Sequence, residues 1–125
     1  MISDIISCDI IKLKPDEDLK RVLSIMDNNN INGAPVVDED GKLVGMIVKA
    51  DIYRFLMDDG HYDTCPVDWV MTKNVITVSK YESINAAAHK ILDNEIVAIP
   101  VLDGDSVVGV VSIEDVLKYY LNENV

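Results

Sequence analysis

One pattern occurs twice in this chain: "GMIVKADI" at Gly45–Ile52 and "GVVSIEDV" at Gly109–Val116. The copies extend well beyond these octapeptides. Displaced by 65 positions, "ISDIISCDIIKL" (Ile2–Leu13) falls on "VDWVMTKNVITV" (Val67–Val78). In the same register Leu19, Val22, Leu23 and Met26 fall on Ile84, Ala87, Ala88 and Ile91, and Pro35 falls on Pro100. One residue is dropped in a turn, after which Gly45, Asp51 and Ile52 fall on Gly109, Asp115 and Val116. Such self-similarity constrains the fold more than any composition does. A unit of about 60 residues buries too little of its own surface to be stable alone, so the two copies are expected to pack together.

Each copy reads alike. Short apolar stretches at Ile10–Leu13 and Val75–Val78 suit buried strands. Asp16–Asn28 and Lys80–Asn94 carry apolar residues at helical spacing. Ala34–Val37 and Ile99–Leu102 begin second strands, with proline expected at the strand start, where no ladder donor is needed. Asp40–Gly41 and Asp103–Gly104 signal hairpin turns into third strands at Leu43–Val48 and Val107–Val111. Closing helices are expected from about Ala50 and Ile113. The order is β-α-β-β-α, twice, which places the chain in the α/β (α+β) class. Residues 1–58 form the first repeat, 59–66 a connector and 67–125 the second repeat of one compact module.

The 125 residues are 49% hydrophobic and 26% charged, as in ordinary folded proteins. Apolar runs fall far short of the ~20 residues of a membrane span, and no signal peptide is legible, so a cytoplasmic location is expected. In that setting Cys8 and Cys65 are expected to be free thiols. A net charge of −11 opposes a nucleic-acid or anionic-membrane surface. It also disfavours a polyphosphate ligand unless basic residues lie close to it.

The ordered pattern xxPVVDxxGxhhGhhxxxD, present twice in register, with Met71–Thr72 opening the second copy, resembles the paired cystathionine-β-synthase (CBS) domain family. The resemblance covers about nine-tenths of the chain. It implies a pseudo-two-fold pair with two clefts between the repeats. Such clefts bind adenosine-containing ligands: AMP, ADP, ATP, S-adenosylmethionine or dinucleotides. The resemblance further implies that the pair regulates a partner protein as a homodimer, catalyses nothing and requires no cofactor.

Chemistry singles out Asp115 and Asp51, each expected in the first turn of a helix. A carboxylate accepts strongly from the two hydroxyls of a ribose, and the helix start favours an anion. Ser112, three residues before Asp115, can donate to a phosphate. The same Ser-x-x-Asp spacing makes a capping box that needs no ligand, and the two roles are compatible. Carried over from the family, the first cleft comprises Ser7, Ile11 (through its backbone), Ile31, Asn32, Val110, Ser112 and Asp115. The second, weaker cleft comprises Met46, Asp51, Thr72, Ile76, Ile96 and Val97. Ile31, Ile96, Met46 and Val110 are equally readable as plain core.

Departures from the family pattern rank the clefts. Val48 stands where Ser112 stands in the other copy, and Val97 offers no polar group. Lys49 reads as a solvated lysine. The first cleft has no obvious arginine; Lys12, Lys14 and Lys73 are the nearest cations along the chain. A monophosphate suits it better than a triphosphate, and the cationic S-adenosylmethionine suits the acidic balance better still. His89 reads as a surface or half-buried residue. His61, with Asp58, Asp59, Asp63 and Cys65, lacks regular metal-ligand spacing, so no metal is expected. No catalytic or phosphate-loop motif is present. The alternative function is a ligand-free dimerisation scaffold, with Tyr53, Phe55, Tyr119 and Tyr120 exposed on the closing helices.

Overall fold

The computed structural model describes residues 1–6 and 10–123. It has four α-helices and two sheets among them. The first repeat contains α1 (Leu19–Asn28), β1 (Gly33–Val37), β2 (Leu43–Val48) and α2 (Lys49–Leu56). The second contains β3 (Val78–Ser79), α3 (Ile84–Asp93), β4 (Ala98–Asp103), β5 (Ser106–Ser112) and α4 (Ile113–Glu123). In both repeats the hairpin strands are antiparallel, and Gly41 (φ 82°) and Gly104 (φ 62°) take the left-handed conformation their turns require.

The expected first strands are shorter than their apolar runs suggest. Of Ile10–Leu13 only Leu13 pairs, in a parallel bridge to Val36, and the second-repeat strand begins at Val78. The prolines are not at strand starts either: Pro35 and Pro100 are each the third residue. The reason is visible at Pro35, whose carbonyl accepts from Leu13 N–H at 3.0 Å while Leu13 C=O accepts from Val37 N–H at 2.8 Å. A residue's N–H and C=O point to the same side of a strand, so the donor that Pro35 lacks faces the Leu13 side. Pairing on that side begins only at the Pro35 carbonyl.

Contacts divide the chain into two compact units, Ile11–Val75 and Met1–Ile10 with Ile76–Val125. Each repeat is therefore completed by the opening segment of the other. Ile2 N–H donates to Glu82 C=O (3.1 Å) and Ser3 N–H to Lys80 C=O (3.3 Å). The equivalent pairs are Val67 to Glu17 (2.8 Å) and Asp68 to Pro15 (3.0 Å). Ile2 and Val67 are fully buried in their respective units. The cores correspond position by position: Leu13, Leu19, Val22, Met26, Val36, Ile47 and Ile52 in one, Val78, Ile84, Ala87, Ile91, Val101, Val111 and Val116 in the other. Burying each large side chain contributes roughly 1.5–3 kcal/mol before entropy is counted.

The repeated glycine is explained by these opening segments. A Cβ on Gly45 would stand 2.5 Å from Met71 Sδ, and one on Gly109 would stand 2.8 Å from Ile6 Cδ1. Ile6 and Met71 are equivalent positions of the repeat. The second strand of each hairpin, β2 or β5, can carry no side chain where the incoming segment crosses it.

Candidate functional site

Ser112 ends β5 and Asp115 lies in the first turn of α4. Asp115 N–H donates to Ser112 Oγ at 3.1 Å, and Ser112 N–H donates to Asp115 Oδ2 at 2.8 Å. This is a complete capping box, satisfying one free donor in each direction. It holds the carboxylate in a fixed rotamer with Oδ1 accepting nothing among the described residues. Both side chains are half-buried. Asp115 opens onto a groove of about 380 Å³ lined also by Ile5, Lys118, Tyr119 and Asn122.

Asp51 stands in the equivalent place but in different company. Val48 supplies no cap, and Asp51 Oδ1 accepts from Arg54 Nη1 at 2.8 Å. Arg54 and Lys118 are equivalent positions, each three residues beyond the aspartate. In the first repeat the pair is closed on itself. In the second, Asp115 is held by the cap and Lys118 has no ion-pair partner among the described residues. Neither cation is among the expected site residues, although an i, i+3 spacing from each aspartate marks them as helix-surface neighbours.

The other expected residues are divided between the units. Val110 sits on β5 opposite Pro100, in the same unit as Ser112 and Asp115. Ile11, Ile31 and Asn32 lie in the other unit; the two isoleucines pack against its core, and Asn32 C=O accepts from Lys49 N–H at 2.7 Å. Ser7 and Cys8 lie outside the described residues. For the second set, Met46 is buried and exchanges two backbone bonds with Thr72, at 2.8 and 2.9 Å. Ile76 and Ile96 pack on the core of the other unit, and Val97 is 55% exposed.

Several expectations need correction. Lys49 is not simply solvated: its ammonium pairs with Asp27, and the side chain is only 21% exposed. That bond raises its pKa above the ordinary lysine value. Phe55, Tyr119 and Tyr120 are half-buried against their cores, leaving Tyr53 as the exposed aromatic of that group. Lys14 is engaged by Asp38 C=O (2.9 Å) and Lys73 by Asp68 (3.7 Å). Cys65 is a free thiol. Among the described residues no polar or charged side chain is buried, and none cluster as metal ligands. No helix among them is long and apolar enough to cross a membrane.

A family model described as CBS domain matches residues 2–58 and again 67–122. The chain belongs to the CBS domain family. A solved CBS domain pair in complex with 5′-methylthioadenosine and S-adenosyl-L-methionine matches 98% of this chain and 97% of its own length, at 32% identity and a TM-score of 0.91. L-Aspartate semialdehyde sulfurtransferase of Methanocaldococcus jannaschii is 33% identical over 96% of the chain. Homoserine O-acetyltransferase of Methanohalobium evestigatum is 34% identical over 94%. The chain spans only 23% of the length of each of these two curated relatives. Those enzymes are full-length proteins of which a CBS pair is one part.

Proposed function

We propose that this CBS pair is a regulatory module that binds an adenosine-containing ligand at Asp115 and signals to a partner protein. The observation that carries the reading is the Ser112–Asp115 capping box, which presents a pre-positioned carboxylate with one open oxygen at the edge of a groove. An oriented acceptor needs no rearrangement to take a ribose hydroxyl, which limits the entropy lost on binding. The ligands of the similar solved pair, S-adenosylmethionine and 5′-methylthioadenosine, fit a strongly acidic chain better than a polyphosphate does. Asp51, already engaged by Arg54, is the weaker site.

A second reading, a scaffold that pairs with another copy of itself, is favoured by one feature. Ile113, Leu117 and Leu121 form an exposed stripe along α4, with Leu92 and Val97 also exposed. The first repeat has Lys49, Tyr53, Met57, Asp27 and Asn32 at those positions. Both readings can hold together.

Thermal unfolding with S-adenosylmethionine, 5′-methylthioadenosine, AMP, ADP, ATP and a diadenosine polyphosphate separates them. A ligand at 100 times its Kd adds about 2.7 kcal/mol. Asp115→Ala is expected to abolish the shift and Asp51→Ala to weaken it less. If no compound moves the transition while sedimentation finds a dimer, the scaffold reading replaces the sensor.

A further inference from the structure

The groove beside Asp115 has four members on one helix: Asp115, Lys118, Tyr119 and Asn122 are spaced i, i+3, i+4 and i+7 along α4, and Ile5 also lines it. Two of the four carry opposite charge, so the groove is neither simply acidic nor simply basic. The two repeats differ at this point. At the equivalent helix Arg54 turns back onto Asp51 at 2.8 Å. Lys118 makes no such contact with Asp115, whose Oδ2 accepts from the Ser112 amide. Repeat one neutralises its acid internally; repeat two leaves an ammonium, without an ion-pair partner among the described residues, three residues from a fixed carboxylate.

We infer that Lys118 is a specificity-determining residue of the ligand site, which reads an anionic group carried by the adenosine ligand while Asp115 holds the sugar. This rests on the reading of Asp115 as an adenosine-ligand site. The anion has two chemical sources, the α-carboxylate of an amino-acid arm or the phosphate of a nucleotide. A bond from the Lys118 ammonium to either anion is charge-assisted and so stronger than a neutral one.

The test is titration calorimetry of the intact chain with matched compounds. 5′-Methylthioadenosine carries no anion, S-adenosylmethionine adds the α-carboxylate together with an ammonium and a sulfonium, and AMP carries a phosphate. Lys118→Ala is expected to weaken the anionic ligand by roughly tenfold, to leave 5′-methylthioadenosine within about twofold, and to be rescued in part by Lys118→Arg. Loss confined to S-adenosylmethionine assigns the carboxylate, and loss confined to AMP assigns the phosphate. An equal loss for all three compounds, or none for any, overturns the assignment of Lys118 while leaving the Asp115 site standing. Failure of the unaltered chain to bind any of them overturns both. Because Lys118 is exposed, its truncation leaves the core intact, and the methylthioadenosine affinity checks this directly.

Discussion

Gly45→Ala tests the physical basis of the repeated glycine. Gly45 is not in the left-handed region, so alanine fits the backbone and by itself would stabilise the chain by about 0.4–1 kcal/mol through the unfolded state. The obstacle is steric. The new Cβ would meet Met71 Sδ at 2.5 Å, Met71 Cγ at 2.9 Å and the Thr72 carbonyl oxygen at 3.0 Å. Met71 is 9% exposed and cannot simply swing into solvent, so overpacking of roughly 1–3 kcal/mol applies. Moving Thr72 also strains its two backbone bonds to Met46, each contributing about 0.5–1.5 kcal/mol. The net expectation is a loss of about 2 kcal/mol, or roughly 8 °C in melting temperature for a chain this size. Gly109→Ala should cost less, because its three nearest atoms all belong to the Ile6 side chain. Denaturant unfolding of Gly45→Ala in the Met71→Ala background completes the cycle, and the penalty should shrink by about 1 kcal/mol or more. Stability unchanged or raised by Gly45→Ala, or an equal penalty in both backgrounds, would refute the argument.

Two further outcomes concern the helix starts and the lysines. Ser112→Ala removes half of the capping box and should lower stability by about 1 kcal/mol, whereas Val48→Ser should raise it by giving α2 the cap it lacks; urea unfolding of the two variants checks both signs. Lys49 and Lys80 have pKa values raised, chiefly by their hydrogen bonds to Asp27 and Asp103. A raised folded value means the contribution is full below the unfolded lysine value of about 10.4 and is lost as pH climbs through the folded one. The melting-temperature gap between the unaltered chain and Lys49→Met should thus be constant near neutrality and close in strong alkali; a gap that instead widens there would contradict the pairing.

The duplication, the element order, the hairpin glycines and almost every core position were legible in the sequence. Periodicity records which face of an element is buried, and two copies in register make that record redundant. Ser112 and Asp115 were legible for a related reason, since a capping box is local and spans one turn. The sequence could not reveal that each opening segment crosses to complete the other repeat, because Ile6 and Gly109, or Gly45 and Met71, lie far apart along the chain. It gave a glycine at Gly45 and Gly109 without its cause. Nor did it separate Lys118 from Arg54, since both stand three residues beyond an aspartate. Tertiary structure decided that difference: Arg54 folds back onto Asp51, whereas Asp115 is held by the Ser112 amide and Lys118 has no ion-pair partner among the described residues. Local pattern fixes which side chains a turn of helix offers, whereas the contacts it makes depend on which partners the rest of the fold has already supplied.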